Sequence, residues 1–160
     1  MADQVHRNIT KKRKGQVLSR VRELIKARAP KGEYIEAIGR RKTATARVRL
    51  VPAKENTMVV NGLDAKEYFK TDRLTKIARE ALDDTEVGGT YSASVFVRGS
   101  GMNAQAEAIR LGVARAMVQE NEDTRSYLKH KGWLKRDPRS VERKKFGLLK
   151  ARKAPTWVKR

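Results

Sequence analysis

The basic C-terminal segment, residues 129–160, is the feature that most constrains what this chain can fold into. It carries thirteen Lys or Arg residues against two acids. Glycine and proline interrupt any regular apolar face along it, at Gly132, Pro138, Gly147 and Pro155. Such a segment cannot offset the entropy cost of ordering by burial, and its charges repel one another. We expect it to become ordered on a polyanion. The alternative is a solvated tail that stays disordered.

Three aromatic residues are interleaved with the charges of this segment: Trp133, Phe146 and Trp157. Spaced aromatic side chains among cations favour RNA as the polyanion.

Charge divides the chain into three regions. Residues 1–32, the N-terminal extension, hold ten basic and two acidic side chains. Residues 33–128, the central body, hold fifteen basic and fourteen acidic side chains. Most of the formal net charge of +20 therefore lies outside the central body. This distribution predicts one globular RNA-binding domain flanked by two arms, which follow phosphates and gain affinity from counterion release.

The composition disfavours several classes of function. The chain has no cysteine, which excludes disulfides, thiolate catalysis and zinc ligation by cysteine. His6 and His130 stand far apart, without a triad or a metal-binding spacing. The sequence therefore predicts neither an enzyme nor a metal or cofactor site. It shows no signal peptide and no apolar run long enough for a membrane, so we expect a soluble intracellular protein without a membrane partner.

Residues 16–28 are the regular part of the N-terminal extension. The residues that recur there at helical spacing are Val17, Leu18, Val21, Leu24, Ile25 and also Arg28. Pro30 and Gly32 follow, so we predict a helix near 16–28. This helix could dock on the central body, on a neighbouring protein or on RNA, and the pattern does not choose among them. A membrane-surface helix is less favoured because bulky interfacial aromatic residues are missing.

Periodicity in the central body predicts short strands mixed with helices. Apolar and polar residues alternate over 44–50 and 91–98, which favours two strands. The complete set of predicted elements is strands over 34–38, 43–52, 58–60 and 91–98, and helices over 65–69, 73–82, 103–120 and 123–130. This order predicts an α+β sandwich, in which one sheet carries its helices on a single face.

Two loops of the central body have chemistry of interest. Residues 39–42, Gly-Arg-Arg-Lys, place three consecutive cations beside a flexible glycine between the first two strands. The second loop, Gly99-x-Gly101-x-x-Ala104, follows a strand and opens a helix, as a dinucleotide-binding turn does. That fingerprint belongs to the first turn of a parallel sheet, however, and here the loop comes late. A nucleotide cofactor is therefore disfavoured against an RNA phosphate or a turn that serves packing.

Blocks of sequence follow one another in a fixed order along residues 33–160. They are GRRKTATARV at 39–48, Asn61-Gly62 with Tyr68-Phe69, VRGSG at 97–101 with QAEAIR at 105–110, Arg136-Asp137 with VERKKFG at 141–147, and KARK at 150–153 followed by Pro155 and Lys159-Arg160. Together they resemble the bacterial-type S9 family of small-subunit ribosomal proteins. The N-terminal extension lies outside this resemblance.

The resemblance implies a structural constituent of the small-subunit head, with small-subunit rRNA, P-site tRNA and neighbouring head proteins as partners. It implies a sandwich like ribosomal protein S5 domain 2, with one mixed sheet, a left-handed βαβ crossover and a long extended basic C-terminal tail. The rRNA ligands expected on this basis are Arg40, Arg41, Lys42, Arg47, Arg98, Ser100, Gln105, Arg110, Arg136, Arg139, Arg143, Lys144, Lys145, Lys150, Arg152 and Lys153. Lys159 and Arg160 would reach the anticodon stem-loop of the P-site tRNA.

Two other classes of function compete with this interpretation. Composition alone also allows a free nucleic-acid binder, such as a DNA-compacting protein, but the ordered blocks favour the ribosomal interpretation. A nucleotide-dependent enzyme rests only on the loop at Gly99 and Gly101.

Overall fold

The computed structural model describes residues 33–84, Glu86 and residues 88–159. The helix predicted near 16–28 and the terminal Arg160 lie outside the described residues. The elements in chain order are β1 Ile35–Arg41, β2 Ala44–Pro52, β3 Thr57–Val60, β4 Leu63–Asp64, α1 Ala65–Phe69, α2 Asp72–Arg79, β5 Tyr91–Arg98, α3 Met102–Glu120 and α4 Thr124–His130.

The five strands form one mixed sheet in the order β1-β2-β5-β3-β4. β2 is antiparallel to both β1 and β5, whereas β3 runs parallel to β5. The mixed sheet with its helices confirms the predicted α+β class. The two-residue strand β4 was not predicted, because two residues are too few to show the alternation of apolar and polar side chains. Asp64 ends β4 and caps α1, since its carboxylate accepts the N–H of Lys66 at 3.0 Å.

The helices cover one face of this sheet. Along β2, alternate residues from Ala44 to Leu50 are buried, while Arg47 between them stays on the surface. The long helix α3 packs against β1, β2 and α2. Its many alanines, among them Ala104, Ala108 and Ala114, are buried and let the helix lie close to the strands.

Gly39 lies at the closest approach between β1 and α3. A Cβ atom at Gly39 would overlap the carbonyl oxygen of Ala108 and stand 2.5 Å from the backbone nitrogen of Gly112. We predicted a flexible connection at residues 39–42, and this was wrong for residues 39–41, because β1 continues through Arg41. The turn is the pair Lys42-Thr43, in which Lys42 adopts a φ of 50°.

The second helix is shorter than predicted. α2 ends at Arg79 instead of Leu82, although Ala81 and Leu82 remain buried in the core. The amide of Asn56 donates to the carbonyl of Leu82 at 3.0 Å and thereby satisfies a backbone group just beyond the helix end.

The chain leaves α4 through a glycine C-cap. Gly132 has a φ of 77°. Its N–H donates to the carbonyl of Lys129, and the N–H of Trp133 donates to the carbonyl of Leu128 at 3.1 Å. This Schellman arrangement turns Trp133 back towards the body. Trp133 and Leu128 are both buried in the core. The first part of the basic C-terminal segment therefore packs on the central body.

Residues 134–159 form turns and bends, without a helix or strand among them. In the part of the chain that the structure describes, no helix is long and apolar enough to cross a membrane.

Candidate nucleic-acid interface

One end of the sheet gathers exposed cations from three strands. β1 ends there, β2 begins there and β5 ends there, since both strand pairs are antiparallel. Arg40 pairs with Thr45, which pairs on its other side with Arg98. Directly opposed residues share a face, so the two arginines flank Thr45 on the face away from the helices. Lys42 lies in the adjoining turn, and all three cations are exposed. We call Arg40, Lys42 and Arg98 the basic end.

The amino terminus of α3 lies at the basic end. Gly99 and Ser100, with φ of 85° and 51°, turn the chain from β5 into this helix. A Cβ atom at Gly99 would overlap the carbonyl oxygen of Thr43, so this turn packs on the turn between β1 and β2. The helix has Gly101 as its N-cap and an uncharged first turn. Its free N–H groups and the positive end of its dipole favour an anion there.

Arg41, predicted to contact phosphate beside Arg40, points instead to the helix-covered face and is only 7% exposed. Its guanidinium forms one ion pair with Glu107 of α3 and another, at 2.9 Å, with Asp137. It also donates to the backbone carbonyl of Arg139. The rigid fork of an arginine suits several acceptors at once. Arg41 therefore joins β1 and α3 to the basic C-terminal segment.

Gln105, another predicted rRNA ligand, also faces inwards. Its side-chain oxygen accepts the hydroxyl of Tyr68 at 2.7 Å, and its nitrogen donates to the carbonyl of Gly99 at 3.0 Å. Asn61 holds the end of β5 in a similar way, because its amide exchanges two 3.0 Å hydrogen bonds with the backbone of Val97. These amides fix the loop that leads into α3 and leave the exposed surface to the cations.

Two further predicted ligands of the central body lie on the surface in ion pairs. Arg47 stands 3.3 Å from Glu36, and Arg110 stands 2.6 Å from Glu80. Surface pairs of this kind contribute about 0–1 kcal/mol. Either arginine can exchange its carboxylate for a phosphate at little cost. Ser100 is exposed in the turn before α3.

The predicted ligands at the start of the basic C-terminal segment are placed by contacts with the body. Arg136 donates to the carbonyl of Lys42 at 3.3 Å, which brings it to the basic end. Arg139 stands 2.8 Å from Asp137. The pKa of Asp137 is lowered from 3.8 to about 2, chiefly by hydrogen bonds from the side chain of Arg139 and, to a smaller extent, from its backbone N–H. This carboxylate thus holds two arginines, Arg41 beneath it and Arg139 outside.

The later part of the segment presents its cations to solvent. The exposed predicted ligands there are Arg143, Lys144, Lys145, Lys150, Arg152, Lys153 and Lys159. Lys145 and Arg152 contact the carboxylate of Glu142 at 2.5 Å and 2.8 Å, and these bonds lower its pKa. Glu142 therefore draws together two turns of the segment.

Lys135 is a basic residue outside the set of predicted ligands. With Arg40, Arg110 and Arg136 it lines a cavity of about 30 Å³ beside Arg41. The only signal for it in the sequence was its place within the run of cations. Its position extends the positively charged surface from the basic end towards the segment.

Acidic side chains collect at the opposite end of the sheet, where β1 begins, β2 ends and α3 ends. They are Glu33, Glu55, Glu120, Glu122 and Asp123. We call these residues the acidic end. The same stretches also hold the cations Lys54 and Arg125, which the acids outnumber. The central body is therefore polarised, although its charges nearly cancel in total.

The arrangement differs from a dinucleotide-binding fold. The loop at Gly99 follows β5, which is antiparallel to β2, and α3 leads into α4. Among the described residues, no strand follows α3 to form the second unit of such a fold. Within the same residues, no group of three or more acidic or histidine side chains is placed to hold a metal ion.

Comparisons with known proteins identify the family of this chain. A sequence profile described as Ribosomal protein S9/S16 matches residues 39–160, which include the basic end and most of the described chain. The small ribosomal subunit protein uS9 of Cytophaga hutchinsonii is 49% identical over 128 residues, covering 80% of this chain and 99% of that protein. The resemblance seen in the sequence is confirmed: the chain belongs to the ribosomal protein S9/S16 family.

Proposed function

We propose that this chain is a structural constituent of the head of the cytoplasmic small ribosomal subunit and binds small-subunit rRNA. Family membership supports the ribosomal assignment. The observation that carries the RNA contact is the basic end, where Arg40, Lys42 and Arg98 meet the amino terminus of α3. A structural role of this kind needs no catalytic group and no cofactor. Neighbouring head proteins would be the other partners.

The basic end suits phosphates better than base edges. Arg40 and Arg98 are separated by one intervening strand, so their backbones stand about 10 Å apart. Such exposed cations on a rigid sheet can hold successive parts of an RNA backbone. Phosphate contacts fix the position and orientation of a protein but carry no sequence information. We infer that the central body is placed on rRNA by shape and charge.

The decisive experiment is the salt dependence of binding to a fragment of small-subunit rRNA from the head. The double variant Arg40→Ala/Lys42→Ala should reduce the slope of log K against log salt by about two units, one for each lost phosphate contact. The matched control is Lys54→Ala/Lys76→Ala, which also removes two exposed cations but leaves the basic end intact. An equal reduction in both double variants would show that charge alone, without a defined interface, explains the binding.

We also propose that Lys159 and Arg160 at the chain end reach the anticodon stem-loop of the P-site tRNA. Support comes from the family and from the exposure of Lys159. The chain from Arg139 to Lys159 can span at most about 70 Å when fully extended. A tail fixed at Arg41 and Asp137 thus has the length to reach a ligand well beyond the central body.

A further inference from the structure

A groove at the acidic end has features that RNA binding does not explain. It lies where β1 begins, β2 ends and α3 ends, and it has a volume of about 580 Å³. Its lining residues are Glu33, Tyr34, Ile35, Leu50, Pro52 and Glu120. Arg49, which pairs with Glu36 at 2.8 Å, holds the ring of Tyr34 at 4.8 Å. The lining of the groove therefore combines apolar and aromatic residues with two carboxylates, Glu33 and Glu120.

The carboxylates that line this groove favour a cationic occupant. Glu120 is the last residue of α3, and the last turn of this 19-residue helix contains no basic residue. The negative end of the helix dipole is thus reinforced by a carboxylate instead of being neutralised. Glu122 and Asp123 follow directly in the chain. Phosphate would be repelled here, so RNA is a poor occupant.

A segment of complementary chemistry lies shortly before Glu33 in the sequence. Glu33, which lines the groove, directly follows the N-terminal extension with its ten basic and two acidic side chains. Residues 16–28 combine apolar side chains at helical spacing with Arg20 and Arg22 on either side of that apolar set. Only residues 29–32 separate them from Glu33, and four residues span at most about 14 Å. A tether this short gives an effective concentration in the millimolar range.

We propose that residues 16–28 of the N-terminal extension dock in the groove at the acidic end, with their apolar side chains towards the exposed or partly exposed Tyr34, Ile35 and Pro52. Arg20 and Arg22 would neutralise Glu33 and Glu120. The contact is intramolecular and lies at the opposite end of the sheet from the basic end. It is therefore independent of the RNA interface proposed above, and either proposal can fail without the other.

Paramagnetic broadening in NMR spectra of the full chain tests this docking. The chain has no cysteine, so Ser19→Cys provides a unique site for a nitroxide on the polar side of residues 16–28. The amide signals of Tyr34, Val51 and Asn121 should lose most of their intensity, while those of Arg40 and Arg98 should keep theirs. The broadening should weaken in about 1 M salt, where the Debye length falls to about 3 Å.

Two variants separate the apolar from the ionic part of the contact. In the labelled chain, Leu24→Asp should restore the signals around the groove without touching the central body. The exposed pair Glu33→Lys/Glu120→Lys should restore them as well, and adding Arg20→Glu/Arg22→Glu should bring the broadening back. A nitroxide at Lys153→Cys is the control and should leave the groove signals unchanged.

Three outcomes would overturn the proposal. Broadening centred on residues 40–42 and 98–100 would place the extension at the basic end. Full signal intensity throughout the body would show that the extension does not dock. In a mixture of nitroxide-labelled protein and unlabelled ¹⁵N protein, broadening of the ¹⁵N signals would assign the groove to a second copy.

Discussion

Gly39 and Gly112 face each other across the contact between β1 and α3, and a Cβ atom fits at neither position. At Gly112 it would stand 2.6 Å from a methyl group of Val48 and 3.2 Å from the nitrogen of Gly39. The helix lies on the strand at backbone distance. The position of the amino terminus of α3 at the basic end therefore depends on the close contact between Gly39 and Gly112.

Gly39→Ala should therefore destabilise the protein, because the new methyl group meets backbone atoms that cannot rotate away. We expect the free energy of unfolding to fall by about 1–3 kcal/mol, the usual cost of overpacking a core. Urea denaturation followed by circular dichroism measures it. Gly101→Ala is the control, since a Cβ atom at Gly101 meets nothing within 4 Å. Equal losses in both variants would contradict the steric explanation.

Gly132→Ala should loosen the start of the basic C-terminal segment. Its φ of 77° is strained for alanine although space is free around it, so the cost is conformational, about 1–2 kcal/mol. Fluorescence of Trp133 in a Trp157→Phe background should report a lower unfolding midpoint in urea. Gly132→Asn should lose less, because asparagine tolerates this conformation. Identical midpoints for the alanine variant and the parent would show that the C-cap does not hold Trp133.

Arg41→Ala should weaken the attachment of the segment to the body rather than the RNA contact. Breaking a fully buried ion pair costs about 3–5 kcal/mol, and we expect about 2–3 kcal/mol here because Glu107 and Asp137 keep partial access to water. Hydrogen exchange at Arg139 should accelerate at the same time. Arg41→Lys should not restore it, since a lysine lacks the fork.

The RNA-binding salt slope distinguishes the two roles of Arg41. It should stay unchanged in Arg41→Ala, provided the variant is folded under the conditions of measurement. A slope reduced by about one unit with full stability would return Arg41 to the phosphate ligands predicted from the sequence.

Acid should break the hydrogen bonds between Asp137 and Arg139 over a defined range of pH. The pKa of Asp137 is lowered from 3.8 to about 2 in the folded protein. The stabilisation is therefore complete above the ordinary pKa and is lost as the pH falls through about 2. The amide signal of Arg139, which donates to Asp137 at 2.9 Å, should shift over this range. Asp137→Asn should abolish the shift, and a persistent shift in that variant would exclude Asp137 as its source.

Deleting Lys159 and Arg160 should weaken tRNA retention without preventing assembly, because eleven of the thirteen cations of the segment remain. The loss should be about 1–3 kcal/mol, as for charge-assisted hydrogen bonds, and equal for every tRNA, since phosphates carry no base information. Occupancy of the P site on purified small subunits measures it. The control is Lys150→Ala/Lys153→Ala, which removes two cations away from the chain end. Normal occupancy after the deletion would contradict a tRNA contact.

Local periodicity was enough to predict much of this fold. β5 and α3 begin and end within one residue of the predicted limits, and so does β2. Each has a long unbroken pattern of period two or of helical spacing, and such patterns depend only on neighbours in the chain. The capping bond from Lys66 to Asp64 is of the same local kind.

The rest depends on partners distant in sequence. Arg41 contacts Glu107 and Asp137, which are 66 and 96 residues away along the chain, so no local pattern could show that its charge is used inside the protein. Gln105 is similarly directed inwards by Tyr68, 37 residues earlier. Within a motif that suggests RNA binding, the residues that build the surface and those that touch the ligand look alike until the fold separates them.

The polarised central body has a preferred orientation relative to a polyanion before the two molecules make contact. With cations at the end of β5 and carboxylates at the end of α3, the central body adds to the attraction of the two basic arms a torque that turns the basic end towards a polyanion during diffusional approach. Collisions then begin in the orientation that binding requires, which raises the association rate at low ionic strength. A protein of uniformly distributed charge would be attracted as strongly but would arrive in random orientations.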